Sequence, residues 1–212
     1  WDASGKLAAW IDKTQGDNKK PVIVYGHKSP WMPVCFLAAV RSGRAYCPVD
    51  SSMPEERVLQ IIDKVGNPLV LSTEPLEPEN AHLIEELKEI VKNRETISKD
   101  KWISGKELFY VIFTSGSTGL PKGVKITMDN LVGFTHWSRS LGRDFEGEER
   151  IFLNQAPLSF DLSVMDIYTG LTSGSTICSI DKELQQDNTE MLDYIKENKV
   201  SCWVSTPSFA DL

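Results

Sequence analysis

Apolar and polar positions along the chain switch repeatedly between a helical and an alternating period, and the switches mark out a regular succession of helices and strands. Leu7, Ala8 and Ile11, with Trp10 beside them, fall at helical spacing, and a polar turn over 16–20 closes that helix. Pro21 opens a β-branched run, Val22–Tyr25. Trp31, Val34, Cys35, Leu37, Ala38 and Val40 suit a largely buried helix between Ser29 and Gly43, with Pro33 tolerated in its first turn and Gly43 at its end. A strand over 45–49 follows. Ser52-Met-Pro-Glu has the form of a capping box with proline just inside the helix, and Val58, Ile61, Ile62 and Val65 continue the apolar face until Gly66 stops it.

The same grammar runs on. A strand over 69–72 leads to a loop over 74–79 with two prolines, after which Asn80 is placed to cap a helix. Its apolar face is Leu83, Ile84, Leu87, Ile90 and Val91, with Glu85, Glu86, Lys88 and Glu89 on the solvated side. Residues 92–106 are polar and read as irregular. The pattern then predicts strands over 108–113 and 124–127, a helix through Leu131, Phe134 and Trp137, and a charged turn over 144–150. Further on it predicts a strand over 151–153, a helix over 162–171 and a strand over 176–180. A helix over 187–199 opens on an Asp187–Glu190 capping box and turns Met191, Leu192 and Ile195 inward; a strand over 200–204 comes last. Alternating strands and helices imply an α/β fold of layered, mostly parallel sheets flanked by helices, with the functional end at the carboxyl ends of the strands.

Composition narrows the class. At 212 residues, 41% hydrophobic and 25% charged, the chain can bury a substantial core. A net charge of -7 without any basic stripe argues against nucleic-acid partners and anionic membranes, so any phosphate site must be a local feature. Cys35, Cys47, Cys178 and Cys202 lack zinc or disulfide spacing and read as reduced thiols. No run of 18 apolar residues and no signal pattern is present, so the expectation is a cytoplasmic protein without membrane insertion. The chain begins Trp1-Asp2 and ends Asp211-Leu212, and it reads as a piece of a longer enzyme.

The chemistry concentrates in residues 109–123, Phe-Tyr-Val-Ile-Phe-Thr-Ser-Gly-Ser-Thr-Gly-Leu-Pro-Lys-Gly. A buried strand stops abruptly in hydroxyls and glycines. Gly116, Gly119 and Gly123 can adopt backbone angles that turn successive N–H groups inward into an anion-binding nest. Thr114, Ser115, Ser117 and Thr118 add hydroxyl donors, and Lys122 adds a positive charge on a flexible stem. A solvated Gly/Ser linker is the bland alternative, but a buried strand on one side and Pro-Lys-Gly on the other disfavour it. The spacing is not that of a Walker A loop, since Lys122 is preceded by Pro121 and followed by Gly123.

The order Thr-Ser-Gly-Ser-Thr-Gly-x-Pro-Lys-Gly over 114–123 resembles the phosphate loop of the adenylate-forming superfamily, whose members use ATP to turn a carboxylate into an acyl-AMP. Residues 41–50, Arg-Ser-Gly-Arg-Ala-Tyr-Cys-Pro-Val-Asp, resemble a second core motif of that superfamily, with a structural role. Asp161 lies among Pro157, Leu158, Phe160, Leu162 and Val164, and on spacing alone it reads as a helix N-cap satisfied by the Ser163 or Val164 N–H. Ser159-Phe-Asp-x-Ser-Val164, however, is similar to a motif of amino-acid-activating members, in which the aspartate clamps the substrate ammonium.

Stretches at 25–30, 47–57, 152–166 and 204–211 are similar to the branch of the superfamily that activates D-alanine and loads it onto the phosphopantetheine thiol of a D-alanyl carrier protein, for teichoic acid D-alanylation. The resemblance implies ATP and Mg2+ as cofactors and D-alanine and the carrier protein as partners. It implies nucleotide contacts from Thr114, Ser115, Gly116, Ser117, Thr118, Gly119 and Lys122, with the substrate amine at Asp161. It also implies that residues 1–212 are an incomplete N-terminal adenylation domain with a subdomain break near 128–150. The catalytic lysine, the adenine pocket and the small C-terminal domain belong to later segments, so no catalytic residue is assigned within the chain. His27, His82 and His136 are scattered and read as structural. An adenylation domain for another amino acid, and a non-catalytic nucleotide-binding or scaffold module, remain open at this point.

Overall fold

In a computed structural model of the protein, residues 1–76, 81–115, 120–141 and 150–210 are described. The elements are α1 (Asp2–Gln15), β1 (Val22–Tyr25), α2 (Trp31–Arg41), β2 (Tyr46–Val49), α3 (Glu55–Val65), β3 (Val70–Ser72), β4 (Ala81–Leu83), α4 (Ile84–Ile90), β5 (Leu108–Ser115), β6 (Pro121–Thr127) and α5 (Met128–Ser138). They continue as β7 (Ile151–Asn154), α6 (Leu162–Ser173), β8 (Thr176–Ser179), α7 (Asn188–Glu197), β9 (Cys202–Trp203) and α8 (Pro207–Ala210). Two compact units divide the chain, Trp1–Leu131 and Val132–Leu212.

The first unit is built on a sheet of order β4-β3-β1-β2-β5-β6. Every pair in it is parallel except β5 with β6, which is antiparallel. The central strand β1 is buried along its whole length, as an all-apolar strand between two helical layers must be. Its side chains divide by the pleat: Ile23 and Tyr25, with Cys47 and Val49 of β2 and Val70 of β3, pack on Val58, Ile61 and Ile62 of α3. From α2, Phe36 stacks on Tyr46 of β2, ring centroids 4.2 Å apart. The connection from β1 leads to β2 on one side, while the connection from β2 returns past β1 to β3. The connections leaving the neighbouring strands β1 and β3 thus run in opposite directions, and between these two strands α/β folds open their crevice at the carboxyl ends. The second unit holds a parallel sheet of order β8-β7-β9, with Leu153, Ile180 and Met191 in its core.

Several expectations are corrected. Residues 81–83 form β4, parallel to β3, instead of opening the helix; α4 begins at Ile84, and of its expected apolar face only Leu87 is buried. Asn80 lies outside the described residues. The capping box at 52–55 does not form: Pro54 holds the N-cap position without a side-chain bond, while the Ser52 N–H goes to Asp50 Oδ1 at 3.0 Å. At α7 the Asp187 side chain does accept from the N–H groups of Thr189 and Glu190. Gly66, left-handed at φ 86°, ends α3 as its sequence implies.

Residues 41–50 are structural through their two arginines. Arg41 lies against both rings of the edge-to-face pair Trp1 and Trp102, 4.3 and 4.9 Å from their centroids. Arg44 is buried and donates to the carbonyls of Asn18, Ser42 and Gly16 at 2.7, 2.6 and 2.6 Å. It thereby closes the carboxyl-terminal end of α1 and its following turn, where free carbonyls collect. Lysine cannot satisfy three carbonyls in that fork geometry. Arg44→Lys in the intact protein is expected to lower unfolding free energy by about 2 to 3 kcal/mol in urea titration, with ligand affinities unchanged in the folded fraction.

Candidate functional site

The hairpin β5–β6 carries the phosphate-loop sequence. β5 is apolar and buried from Phe109 to Ile112, held by the sheet on one side and by β6 on the other, and becomes exposed at Thr114. Antiparallel register sets Thr114 opposite Lys122 and Ser115 opposite Pro121, so the two ends of the motif face each other across the hairpin. The Thr114 hydroxyl approaches the Lys122 carbonyl at 3.4 Å. The Lys122 side chain is exposed, with no ion pair among the described residues. Gly116, Ser117, Thr118 and Gly119 lie outside the described residues, as does the Ser115 side chain.

Gly123 plays a different part from the one its sequence implied. It is a strand residue opposite Phe113 and is absent from the positive-φ glycines, so it builds no nest. An added Cβ there would stand 3.0 Å from Val111 Cγ1 and 3.2 Å from Phe113 Cζ, so close packing against β5 is what requires the glycine.

Two contacts at this hairpin escaped sequence reasoning. Arg57 Nη2 donates to the Thr114 carbonyl at 2.8 Å, and Lys64 Nζ donates to the Pro121 carbonyl at 2.6 Å. Both come from α3, whose apolar positions were legible while its polar face carried no motif. Their spacing of seven residues, two helical turns, was the available signal. In a chain of net charge -7, three cations therefore gather at one hairpin.

Asp161 immediately precedes α6, with helical backbone angles φ -61° and ψ -31°. Its side chain makes no capping bond, because the donors it would cap are taken: the Ser163 N–H goes to the Phe160 carbonyl at 3.1 Å and the Val164 N–H to the Asp161 carbonyl at 3.0 Å. The Ser163 hydroxyl adds a 2.6 Å bond to the Phe160 carbonyl. The expected apolar surroundings are corrected too. Leu158 and Val164 turn inward while Phe160, 58% exposed, and the Asp161 carboxylate face outward. Among the described residues the carboxylate has no hydrogen-bond or ion-pair partner, so it is available to an external cation.

At the reversal point of the first sheet, His27 Nδ1 lies 2.8 Å from Asp50 Oδ2, and the His27 N–H donates to Glu74 at 2.9 Å. Burial pushes the Asp50 carboxyl up, but hydrogen bonds from Ser52 and His27 outweigh it and hold the group below the ordinary carboxylate range. A depressed value stabilises the fold above the unfolded carboxylate range, and that stabilisation is lost as pH falls through the folded value. His27 thus ties the segment after β1 to those after β2 and β3; His82 pairs with Glu86 at 2.9 Å.

A family model described as AMP-binding enzyme matches residues 1–212, the whole chain. The chain belongs to the AMP-binding enzyme family. Within it, the chain is 42% identical over 218 residues to a protein named D-alanine--D-alanyl carrier protein ligase from Bacillus velezensis, covering 100% of this chain and 43% of the relative. It is 43% identical over 223 residues to the protein of the same name from Bacillus cytotoxicus, again covering 43% of it. The chain thus spans less than half the length of these relatives. AMP-binding enzymes of solved structure share the fold: O-succinylbenzoate coenzyme A synthetase of Bacillus subtilis, in complex with AMP, has a TM-score of 0.81 at 17% identity, covering 99% of this chain and 55% of that one. A four-domain nonribosomal peptide synthetase, AB3403, bound to AMP and glycine, has a TM-score of 0.78 at 19% identity, covering 98% of this chain and 15% of that one.

The Asp161 geometry separates a capping role from a ligand-facing one. Because its carboxylate makes no cap bond, Asp161→Asn is expected to change unfolding free energy by no more than about 0.5 kcal/mol, the range of an exposed substitution. A capping carboxylate would instead cost about 1 kcal/mol when replaced by alanine, so Asp161→Ala measured in parallel gives the control.

Proposed function

We propose that this chain is part of an ATP-dependent ligase that activates D-alanine as D-alanyl-AMP and passes the alanyl group to the thiol of a carrier protein, for D-alanylation of teichoic acids in the cell wall. The observation that carries the reading is the exposed carboxylate of Asp161, without a partner among the described residues, within Ser159-Phe-Asp-x-Ser-Val164. A fixed carboxylate with its own backbone already satisfied suits the ammonium of an amino acid, and a substrate without an amine would leave it unused. Identity of 41–43% along the full chain to D-alanine--D-alanyl carrier protein ligases supports D-alanine as that amino acid.

Thr114, Ser115, Gly116, Ser117, Thr118, Gly119 and Lys122 are assigned to the phosphates of ATP. The described part of that set fits a polyanion: an exposed hydroxyl at Thr114 faces an exposed ammonium at Lys122, and two more cations stand at the same hairpin. Mg2+ enters the reading as the companion of ATP, which it would accompany through the phosphate oxygens. In the reaction, an oxygen of the D-alanine carboxylate forms a bond to the α-phosphorus while the bond to the pyrophosphate oxygen breaks. The carrier thiolate then attacks the acyl carbon and AMP leaves. The chain's own contribution is placement: the hairpin holds the leaving pyrophosphate and Asp161 holds the amine. No helix among the described residues is long and apolar enough to cross a membrane.

Amino-acid-dependent exchange of pyrophosphate into ATP by the full-length enzyme, surveyed over D- and L-amino acids, tests the reading. D-Alanine is expected to give the highest rate. Asp161→Asn is expected to raise the KM for D-alanine at least about tenfold, as loss of a charge-assisted hydrogen bond does, with the KM for ATP little changed. A preference for another amino acid would assign the chain to a different adenylation domain; no exchange with any of them would favour a non-catalytic nucleotide-binding module.

The 212 residues alone are expected to bind nucleotide weakly and to load no carrier, because the transferring phosphate needs a cation aimed at the acyl oxygen and Lys122 stands beside the leaving pyrophosphate instead. Mass spectrometry of the carrier after incubation with Mg-ATP, D-alanine and the chain measures this. A carrier gaining one alanyl group would show that the chain suffices.

A further inference from the structure

We propose that Arg57 and Lys64 are positioning residues of the phosphate hairpin: from α3 they grip the backbone on either side of the turn and keep two positive charges beside a bound nucleoside triphosphate. The inference rests on reading residues 114–123 as phosphate-binding, and it adds residues that neither the motif nor the relatives assign.

Three observations carry it. First, the two contacts fall at the two flanks of the turn: Arg57 Nη2 on the Thr114 carbonyl at 2.8 Å, where β5 ends, and Lys64 Nζ on the Pro121 carbonyl at 2.6 Å, where β6 begins. Second, α3 does not need them for its own attachment. Val58, Ile61 and Ile62 are buried against β1, β2 and β3, and Gly66 closes the helix, so the cations extend from a helix already fixed by packing. Third, β6 is the edge strand of its sheet among the described residues, so within them only β5 pairs with it.

Arg57 and Lys64 are seven residues apart, about 10.5 Å along the helix axis, and project from one face. A rigid helix that holds both flanks of a turn fixes the separation of those flanks before ligand arrives, which removes part of the ordering cost of binding. Each of these cationic side chains is held at the hairpin through a backbone carbonyl. Positive charge at this hairpin opposes the chain's net -7 where a polyanion must be held.

Arg57→Gln and Lys64→Gln in the full-length enzyme, with Arg57→Lys and Lys64→Arg beside them, test the proposal by pyrophosphate exchange and thermal melting. Each Gln variant is expected to raise the KM for ATP about tenfold with the KM for D-alanine within about twofold of wild type. Lys64→Arg is expected to restore the ATP KM and Arg57→Lys to leave an intermediate one, because lysine replaces the charge but not the fork. The double Gln variant is expected to show a shallower salt dependence of ATP binding. A lowered melting temperature with unchanged ATP KM would overturn the proposal and leave the two residues as struts; so would a parallel rise in both KM values. Thr114→Ala with Ser115→Ala is the control. If that variant loses ATP affinity while the α3 variants keep theirs, only the positioning role falls; if all of them keep it, the phosphate assignment of the hairpin falls as well. Where a Gln variant does not fold, Arg57→Lys decides, an ATP KM equal to wild type counting against the proposal.

Discussion

Once β6 pairs antiparallel with β5, the register that sets Thr114 against Lys122 also fixes where the chain must turn and which groups flank the turn. The other pairs of this sheet are parallel, and parallel strands need a crossover of a dozen or more residues. Only an antiparallel pair permits a short turn at the carboxyl end of a buried strand, which is where an α/β sheet presents its ligands. The buried stretch from Phe109 to Ile112 anchors one arm. The packing of Gly123 against Val111 and Phe113 brings the other arm close, and an added side chain at that position would press on both.

That constraint explains the division of labour within α3. One face, Val58, Ile61 and Ile62, is spent on the core. The neighbouring face reaches the hairpin through long cationic side chains, whose stems span the distance while their heads find carbonyls. Elsewhere two buried charged groups are offset by hydrogen bonds. Arg44 is tolerable in the interior because three carbonyls surround it, and Asp50 because Ser52 and His27 meet both of its oxygens. Cys35 and Cys47, by contrast, sit in apolar surroundings where burial pushes their thiols up, so they serve as small core residues.

The sequence carried the fold class because the apolar runs of β1 and β2 and the periodic face of α3 are long enough to show their period. It carried much less at short elements. β4 has three residues, of which Leu83 is exposed, and its apolar positions blend into the helical spacing of α4. β6 begins at Pro121 because a proline is acceptable as the first residue of an edge strand, although proline ordinarily argues against a strand. The four-residue α8 and the two-residue β9 are too short for any period. At the site, Thr114 and Lys122 were legible from their order in the motif, whereas Arg57 and Lys64 were not. A contact between residues 57 positions apart depends on topology, and local spacing does not encode it. Asp161 lay between: its position before a helix was readable, but the loss of its capping role depends on carbonyls already serving the Ser163 and Val164 N–H groups.

The three cations at the hairpin are not equivalent, and the difference bears on how a polyphosphate would be held. Arg57 and Lys64 have short bonds to backbone carbonyls, so recruiting either as a direct phosphate ligand would require breaking a bond that shapes the turn. Their contribution is geometric and long-range: at an effective dielectric of about 20, a unit charge about 8 Å from another contributes about 2 kcal/mol, still substantial for a polyanion. Lys122, exposed and without an ion pair among the described residues, can meet a ligand without such a loss. For the phosphate site proposed above, this split would leave two charges tied to the hairpin flanks at Thr114 and Pro121 while an exposed third follows a departing group.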